Sequence, residues 1–245
     1  INRGVAAAYN TGIAGARGRF LAFQEADDMS LPHRLERQLQ VIQQYTSALV
    51  SSKVAWIDEN RQIYRYWPTD IRGEIEFSPP GDELYFGMLI HQLRMSNATM
   101  MLDRQLISTH ELIFDEKFKR SSQDWDLYLR LVQKYPSVRI NETLVHVRRH
   151  VGHSSSTSNT ARVFQDNRRL LLKHTKSSLT RPTASRLIKV LHAWSNEFLL
   201  EARYYRGLKG VGLGALALTC FPPNPKAWHS VGNAVRLVRS KRFLS

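Results

Sequence analysis

Apolar positions recur along this chain with two periods, and the elements change where the period changes. Residues 2–17 are rich in alanine with glycine punctuation and predict a helix packed closely on a sheet. Within Arg19 to Gln24, the apolar run Phe20-Leu21-Ala22-Phe23 predicts a short buried strand that opens into an acidic turn. Leu31-Pro32 then starts a helix, with proline in the first turn where its missing N–H costs nothing. Arg34, Leu35, Gln38, Leu39, Ile42 and Tyr45 follow at helical spacing. Ala48 to Ile57 predicts a second strand, Asp58-Glu59-Asn60 a turn, and Gln62 to Trp67 its hairpin partner.

Residues 68–82 hold Pro68, Gly73, Pro79, Pro80 and Gly81, a loop signal long enough to predict a functional lid. Thr99 to Leu102 predicts a short strand, Arg104 to Ser108 the start of a helix, and Asp124 to Tyr135 an amphipathic helix. Val138 to Val147 predicts the last strand. Beyond a Ser/Thr-rich turn, Ser154 to Thr160, the pattern is helical, with breaks near Arg181-Pro182, Gly207 to Gly214 and Pro222 to Pro225. The expected organisation is therefore an α/β domain over residues 1–155 and a helical extension over residues 156–245. The chain opens on Ile1 inside a helix-like stretch, and so reads as a piece of something longer.

Charge divides the chain in the same place. Residues 1–150 carry 19 Lys/Arg against 18 Asp/Glu, whereas residues 151–245 carry 16 against 3. Such an asymmetry points the second half toward something anionic: a membrane surface, a nucleic acid or a polyanionic glycan. Nucleic acid is the poorer of these, because no reading motif or aromatic-interleaved platform accompanies the charge. The single cysteine, Cys220, excludes an internal disulfide and fits a reducing compartment. The longest apolar candidate for a membrane span, Val211 to Phe221, is too short and broken by glycine. The expected location is cytoplasmic, either free or peripheral at the inner face of the membrane.

The candidate chemistry sits at the acidic turn and at the later helix. Glu25, Asp27 and Asp28 lie just beyond the first strand, and in an open α/β sheet ligands bind beyond the carboxyl ends of strands. Clustered carboxylates repel unless a cation lies between them, and a hard divalent ion carrying a substrate phosphate is the usual one. Asp124 occupies the first turn of the later helix, a separate candidate base. Metal–diphosphate carboxylates and a base together are the equipment for moving a group off a nucleotide. On position alone, Asp27 and Asp28 serve as well to turn the chain and cap the helix at Leu31. Asp124 serves as well as a carboxylate satisfying a helix macrodipole. Asp126, two residues on, cannot share the face of Asp124.

Several ordered motifs carry a family likeness. Asn2-x-Gly4-Val5-Ala6-Ala7-Ala8-x-Asn10-x-Gly12-Ile13-Ala14-x-Ala16-Arg17-Gly18 is followed by Phe20-x-Ala22-Phe23-x-Glu25-Ala26-Asp27-Asp28 and Pro32-x-Arg34-Leu35-Glu36. Phe114-Asp115-Glu116, Gln123-Asp124-Trp125-Asp126 and Arg149-His150 come after them in order. Together these resemble family 2 glycosyltransferases of the GT-A fold over roughly residues 1–155. The resemblance implies an inverting, metal-dependent sugar transfer from a nucleotide-activated donor to a glycan or lipid-linked acceptor, in building a cell-envelope polysaccharide or glycolipid. It places Mg²⁺ or Mn²⁺ and the donor diphosphate on Asp27 and Asp28, and the catalytic base on Asp124. The acidic pair usual at the base reads Gln123-Asp124 here, and the turn carries Glu25 where aspartate is usual.

Relative to that pattern the chain lacks the opening strand-helix-strand-helix unit that grips the nucleotide base, so donor binding is expected to suffer if the chain is complete as given. Arg148, Arg149, His150 and His153 follow the last strand; one of them contacts the diphosphate and His150 is a further metal ligand, or they are simply a polar strand end. Ser96 and Asn97 are expected to line the acceptor site. Trp125, Tyr128, Leu129 and Leu131 are expected in the core. Ala202 to Ala217, followed by Pro222 to Pro225 and Trp228, resembles a single degenerate tetratricopeptide-type repeat, or an ordinary helical hairpin. The rival to an enzyme is a catalytically impaired fragment that acts as a basic membrane- or polyanion-binding module.

Overall fold

The alanine-rich opening folds as helix α1, Val5–Gly15, burying Ala6, Ala7 and Ile13. Small side chains on that face let it lie close to its neighbours. The computed structural model describes residues 3–90, 95–118, 121–148, 160–205 and 208–221. Two units divide the chain: residues 1–88 with 92–163, and residues 89–91 with 164–245.

In the first unit, strands β1 (Phe20–Ala22) and β2 (Met29–Ser30) flank the acidic turn. Helix α2 (Arg34–Gln44), strand β3 (Leu49–Ile57) and its hairpin partner β4 (Ile63–Trp67) follow. Then come β5 (Ile75–Ser78), α3 (Asp82–Leu89), a 3₁₀ turn (Asn97–Thr99) and β6 (Met101–Asp103). A second 3₁₀ turn (Thr109–Glu111), α4 (Gln123–Val132) and β7 (Ser137–Arg148) complete it. The sheet runs β1-β6-β3-β7-β2, with β4 on β3 and β5 on β7.

Strands β3 and β7 are parallel, and β1 is parallel to both because β6 runs antiparallel to β1 and β3. The carboxyl ends of β1, β3 and β7 therefore share one end of the sheet. The β3–β7 register slips twice between Ser52 and Val54, passing over Asn141 and Glu142 before Lys53 and Leu144 after it. A bulge of this kind bends a strand and re-aims its edge. Before it, β7 pairs with β5; after it, β7 pairs with β2, Met29 opposite His146 and Ser30 opposite Val145. The acidic turn is thus fastened to the far end of β7. Under the sheet, Val41 and Ile42 of α2 pack with Val50, Met101, Val138, Ile140 and Leu144.

Three expectations are corrected. The predicted lid over residues 68–82 contains β5, whose backbone is satisfied by β7. Arg104 to Ser108 is a turn rather than a helix. Asp103 Oδ1 accepts the Gln105 N–H at 3.0 Å, and the Arg104 N–H goes to the Arg19 carbonyl at 2.9 Å. A carboxylate that caps the chain locally competes with helix formation. On α2, among the positions at helical spacing, Arg34, Gln38 and Ile42 are buried while Leu35 and Leu39 face solvent.

The second unit is helical: α5 (Thr160–Leu179), α6 (Ala184–Tyr204) and α7 (Leu208–Cys220). Thr183 caps α6 by accepting the Arg186 N–H at 3.2 Å. The third correction falls here. The break expected over Gly207 to Gly214 ends before Leu208, and Gly210, Gly212 and Gly214 lie inside α7. Gly210 belongs there because a Cβ would meet the Tyr205 carbonyl oxygen at 2.1 Å. Leu199 and Ala217 form the core between α6 and α7. Pro222 to Trp228, the second half of the proposed repeat, lies outside the described residues. Among the described residues no helix is long and apolar enough to cross a membrane.

Candidate functional site

The acidic turn is held by a buried cation that the helical pattern concealed. Arg34 is 1 % exposed and spreads its guanidinium across the turn's inner side. Nη2 donates to the Phe23 carbonyl at 2.7 Å, Nη1 to Gln24 Oε1 at 2.9 Å and to Ser30 Oγ at 2.8 Å, and Nε to Gln38 Oε1 at 3.0 Å. Burial pulls its pKa down to about 10, and nearby Asp28 acts against that. At neutral pH it stays charged. Both flanks of the turn are therefore fixed from one side chain, and Asp28 is fixed from another direction: its Oδ1 accepts the Arg148 N–H at 3.1 Å. Asp28 is half-buried and Asp27 is exposed.

Glu25 points into a second network. Its Oε1 accepts the Tyr9 hydroxyl at 2.6 Å and Asn97 Nδ2 at 2.7 Å. Asn97 Nδ2 also donates to the Tyr9 oxygen at 2.7 Å, and Asn97 Oδ1 accepts the Tyr128 hydroxyl. Both amide protons and both phenol protons are thereby placed, a closed chain running from α1 through the 3₁₀ turn to α4. Tyr9 is set in turn by stacking on Phe114 (4.9 Å) and an edge contact with Phe23 (5.4 Å).

Asp124 stands in the first turn of α4 beside this network. It is half-exposed at its surface, yet protein crowds it enough that burial is the main cause raising its carboxyl above the ordinary range. The Trp125 N–H, 2.8 Å from Oδ1, works the other way, and the charge of Glu25 adds to the rise. Burial likewise pushes Tyr9 and Tyr128 up, strengthened by the neighbouring carboxylates. A carboxylate of raised proton affinity is better suited to accepting a proton than an ordinary surface aspartate.

The other sequence candidates take different places. Asp126 is fully buried on a separate face of α4, paired with Arg130 Nε at 3.0 Å. Arg130 also ties down the Glu111 and Ile113 carbonyls. Asn97 is buried and serves Glu25, while Ser96 is half-buried and gives its carbonyl to the Thr99 N–H at 3.1 Å. Phe114-Asp115-Glu116 docks α1: Asn10 brackets the Phe114 backbone at 3.0 and 2.8 Å, and Glu116 pairs with Arg3 at 3.0 Å. Arg149, His150 and His153 lie outside the described residues. The sequence reading missed Arg34, Gln38, Tyr9 and the role of Tyr128. Its one available signal for the first two was a cation and an amide at i and i+4 directly after the acidic turn.

Asp27 and Asp28 supply hard carboxylate oxygens, the donor type that Mg²⁺ and Mn²⁺ take in ones and twos alongside phosphate. Among the described residues no group of three or more His, Cys, Asp or Glu is placed to hold an ion alone.

The model of the family "Glycosyl transferase family 2" matches residues 1–108. A glycosyltransferase of Methanocaldococcus jannaschii, the uncharacterized MJ1057, is 31% identical over 136 residues, 54% of this chain and 42% of that protein. WfgD of Escherichia coli, a UDP-Glc:α-D-GlcNAc-diphosphoundecaprenol β-1,3-glucosyltransferase, is 26% identical over 157 residues, 64% of this chain and 55% of that protein. The chain thus spans about half the length of these relatives. Among solved structures, residues 1–349 of Staphylococcus aureus TarS in complex with UDP-GlcNAc match with a TM-score of 0.55 at 14% identity. That match covers 98% of this chain and 72% of the TarS chain, a likeness of fold.

Proposed function

We propose that this chain is part of a family 2 glycosyl transferase, as the match over residues 1–108 and the GT-A fold support, and that the whole protein transfers a sugar from a nucleotide-activated donor to a glycan or lipid-linked acceptor, with inversion. One observation carries the proposal: Asp124, with raised proton affinity, stands near enough to Glu25 of the acidic turn to feel its charge, beside the network that holds Glu25 in place.

In this reading the acceptor hydroxyl oxygen attacks the anomeric carbon from the face opposite the leaving nucleoside diphosphate. The C–O bond to the sugar forms as the bond to the diphosphate breaks, and Asp124 takes the hydroxyl proton. Base assistance of this kind contributes about 10²–10⁴-fold. Asp27 and Asp28 hold Mg²⁺ or Mn²⁺, which when bound neutralises charge on the departing diphosphate. Arg34 keeps the turn in the shape that presents them, and Tyr9 and Asn97 keep Glu25 from swinging toward them. The WfgD relative, whose name gives a diphosphoundecaprenol-linked acceptor, supports the lipid-linked class. Arg149 and His150 follow β7 in sequence and are assigned to the diphosphate side on the family resemblance alone.

The test is donor binding and turnover with a panel of nucleotide-sugars, in chelator and after Mn²⁺ or Mg²⁺ is restored. Activity is expected to vanish with chelator and to return with the ion, and Asp28→Asn to weaken metal-dependent donor binding. Full turnover in chelator by the protein carrying both Asp27→Asn and Asp28→Asn ends the metal assignment.

A further inference from the structure

We propose that the bend between α5 and α6 is a membrane-contact face, which seats on a leaflet containing anionic lipid by inserting a few aliphatic side chains between basic ones. This rests on the helical unit alone and stands whether or not the transfer chemistry holds.

The sequence sets the charge. Residues 167–196, most of α5 and the first half of α6, contain seven Lys/Arg and neither Asp nor Glu. The nearest acids, Asp166 and Glu197, are both buried, and Asp166 is paired with Arg169 at 3.0 Å. Arg168 is paired too, with Glu201 at 2.5 Å, so the positive field outside belongs to the bend itself, residues 173–189, which carries no acid.

The structure adds an apolar surface to that charge. Leu187 (47 %), Ile188 (53 %) and Leu191 (36 %) are exposed along the first turns of α6, spaced so that 187 and 191 share a face. Leu179 (48 %) ends α5 next to them, and Leu172 stands seven residues earlier on nearly the same line. Leu179, Pro182, Ala184, Arg186, Leu187 and Val190 line a shallow, mostly apolar groove of about 230 Å³ at the bend. Lys176 and Arg181, both exposed, bracket it. Clustered exposed aliphatics mark interaction surfaces. A helix with aliphatic residues on one side and Lys/Arg beside them is the arrangement that lies in a lipid interface, the long basic side chains reaching out to headgroups. A protein partner would need a surface that is both apolar and uniformly acidic; an anionic leaflet is both by composition.

The experiment sediments the chain with vesicles of phosphatidylcholine alone, or of phosphatidylcholine with phosphatidylglycerol, at low and high salt. Binding is expected only to the anionic vesicles and to weaken as salt rises. Leu187→Ser with Ile188→Ser should lower the partition coefficient by about tenfold, and Lys176→Gln with Arg181→Gln by about tenfold at low salt but much less at high salt. All four side chains are at the surface, so each double variant should keep its helical circular dichroism and melting temperature. Leu35→Ser, at a leucine equally exposed on α2, is the control and should change nothing. Equal binding to both vesicle types overturns the proposal, as does salt-sensitive binding that survives both double variants, which would place the contact elsewhere in the basic half. A shift from oligomer to monomer on Leu187→Ser with Ile188→Ser, with vesicle binding unchanged, makes the face an interface between copies and also overturns it.

Discussion

The acidic end of the α/β unit and the basic helical unit handle charge in opposite ways. Around Glu25, Asp28 and Asp124, charges sit close together, and each is met by a named donor at hydrogen-bond distance. Across α5 and the start of α6, cations stand along a surface with no acid on residues 167–196. Interactions of the first kind are short-ranged and indifferent to salt, and they fix atoms in place. Those of the second are screened within about 10 Å at ordinary ionic strength and fix nothing. They draw a partner in. On the readings proposed above, one region serves a reaction and the other a place.

Breaking the first region at its centre should have the largest effect. Asp124→Asn is expected to cut turnover by about 10²-fold or more while donor affinity stays roughly intact, since a proton acceptor acts in the transition state. Stability should move the other way. The Asp124 carboxyl is raised on folding, so the folded state keeps that proton to a higher pH than the unfolded chain. The ionised form therefore costs stability above the raised value, and stability is regained as pH falls through it. At neutral pH Asp124→Asn should be as stable as the parent or more so. The parent's rate should fall on the acid side at a pH above the ordinary aspartate range. Lost stability with retained turnover would move Asp124 out of this role, and Asp126→Asn, which breaks the pair with Arg130, should show that opposite pattern.

Arg34→Met should come next. It leaves the Phe23 carbonyl, Gln24 and Gln38 without their buried donor, at a cost of about 3 kcal/mol in urea unfolding. Donor binding should weaken with it because the turn loses its inner support. Arg34→Lys keeps the charge without the fork and should recover only part of both. Unchanged donor binding in Arg34→Met would show that the turn holds its shape without the cation.

How far the sequence could be read follows from the range of each interaction. Strand, turn and helix around Glu25 to Asp28 follow from local pattern, and so does the place of Asp124 at the head of an amphipathic helix. Arg34 was legible as a residue and illegible as a role. A helix of this sequence can present Leu35 and Leu39 or Arg34 and Gln38 to the interior, and only the acidic turn packed against it decides for the polar pair. Tyr9, Asn97 and Tyr128 are separated by 88 and 31 positions. Nothing in the alanine-rich stretch around Tyr9 announces a partner so distant. The strand inside residues 68–82 was hidden for the same reason, because its backbone partner is β7.

Asn97→Ala tests the network at smaller cost. It removes two donations from Nδ2 and leaves the Tyr128 hydroxyl without its acceptor, worth about 1–2 kcal/mol of stability. If Asn97 only supports Glu25, KM for the donor should rise more than kcat falls. An acceptor-lining role would instead raise KM for the acceptor.

The smallest expected effect sharpens the contrast most. Lys176→Gln with Arg181→Gln removes two charges from a surface where like charges face one another without an acid between them. Exposed charges at such spacings contribute little to folding, so the melting temperature should change by no more than about 2 °C. Any change should be upward, because self-repulsion in a segment of one sign opposes the compact state. Rising salt should raise the parent's melting temperature toward the variant's, since screening removes the same repulsion. The network around Asp124 should show no comparable response to salt, its contacts lying well inside a Debye length. A large destabilisation on losing Lys176 and Arg181, insensitive to salt, would mean that these cations are fixed into the helical unit as firmly as Arg34 is into the acidic turn. The division between a region that holds atoms and a region that attracts partners would then fail.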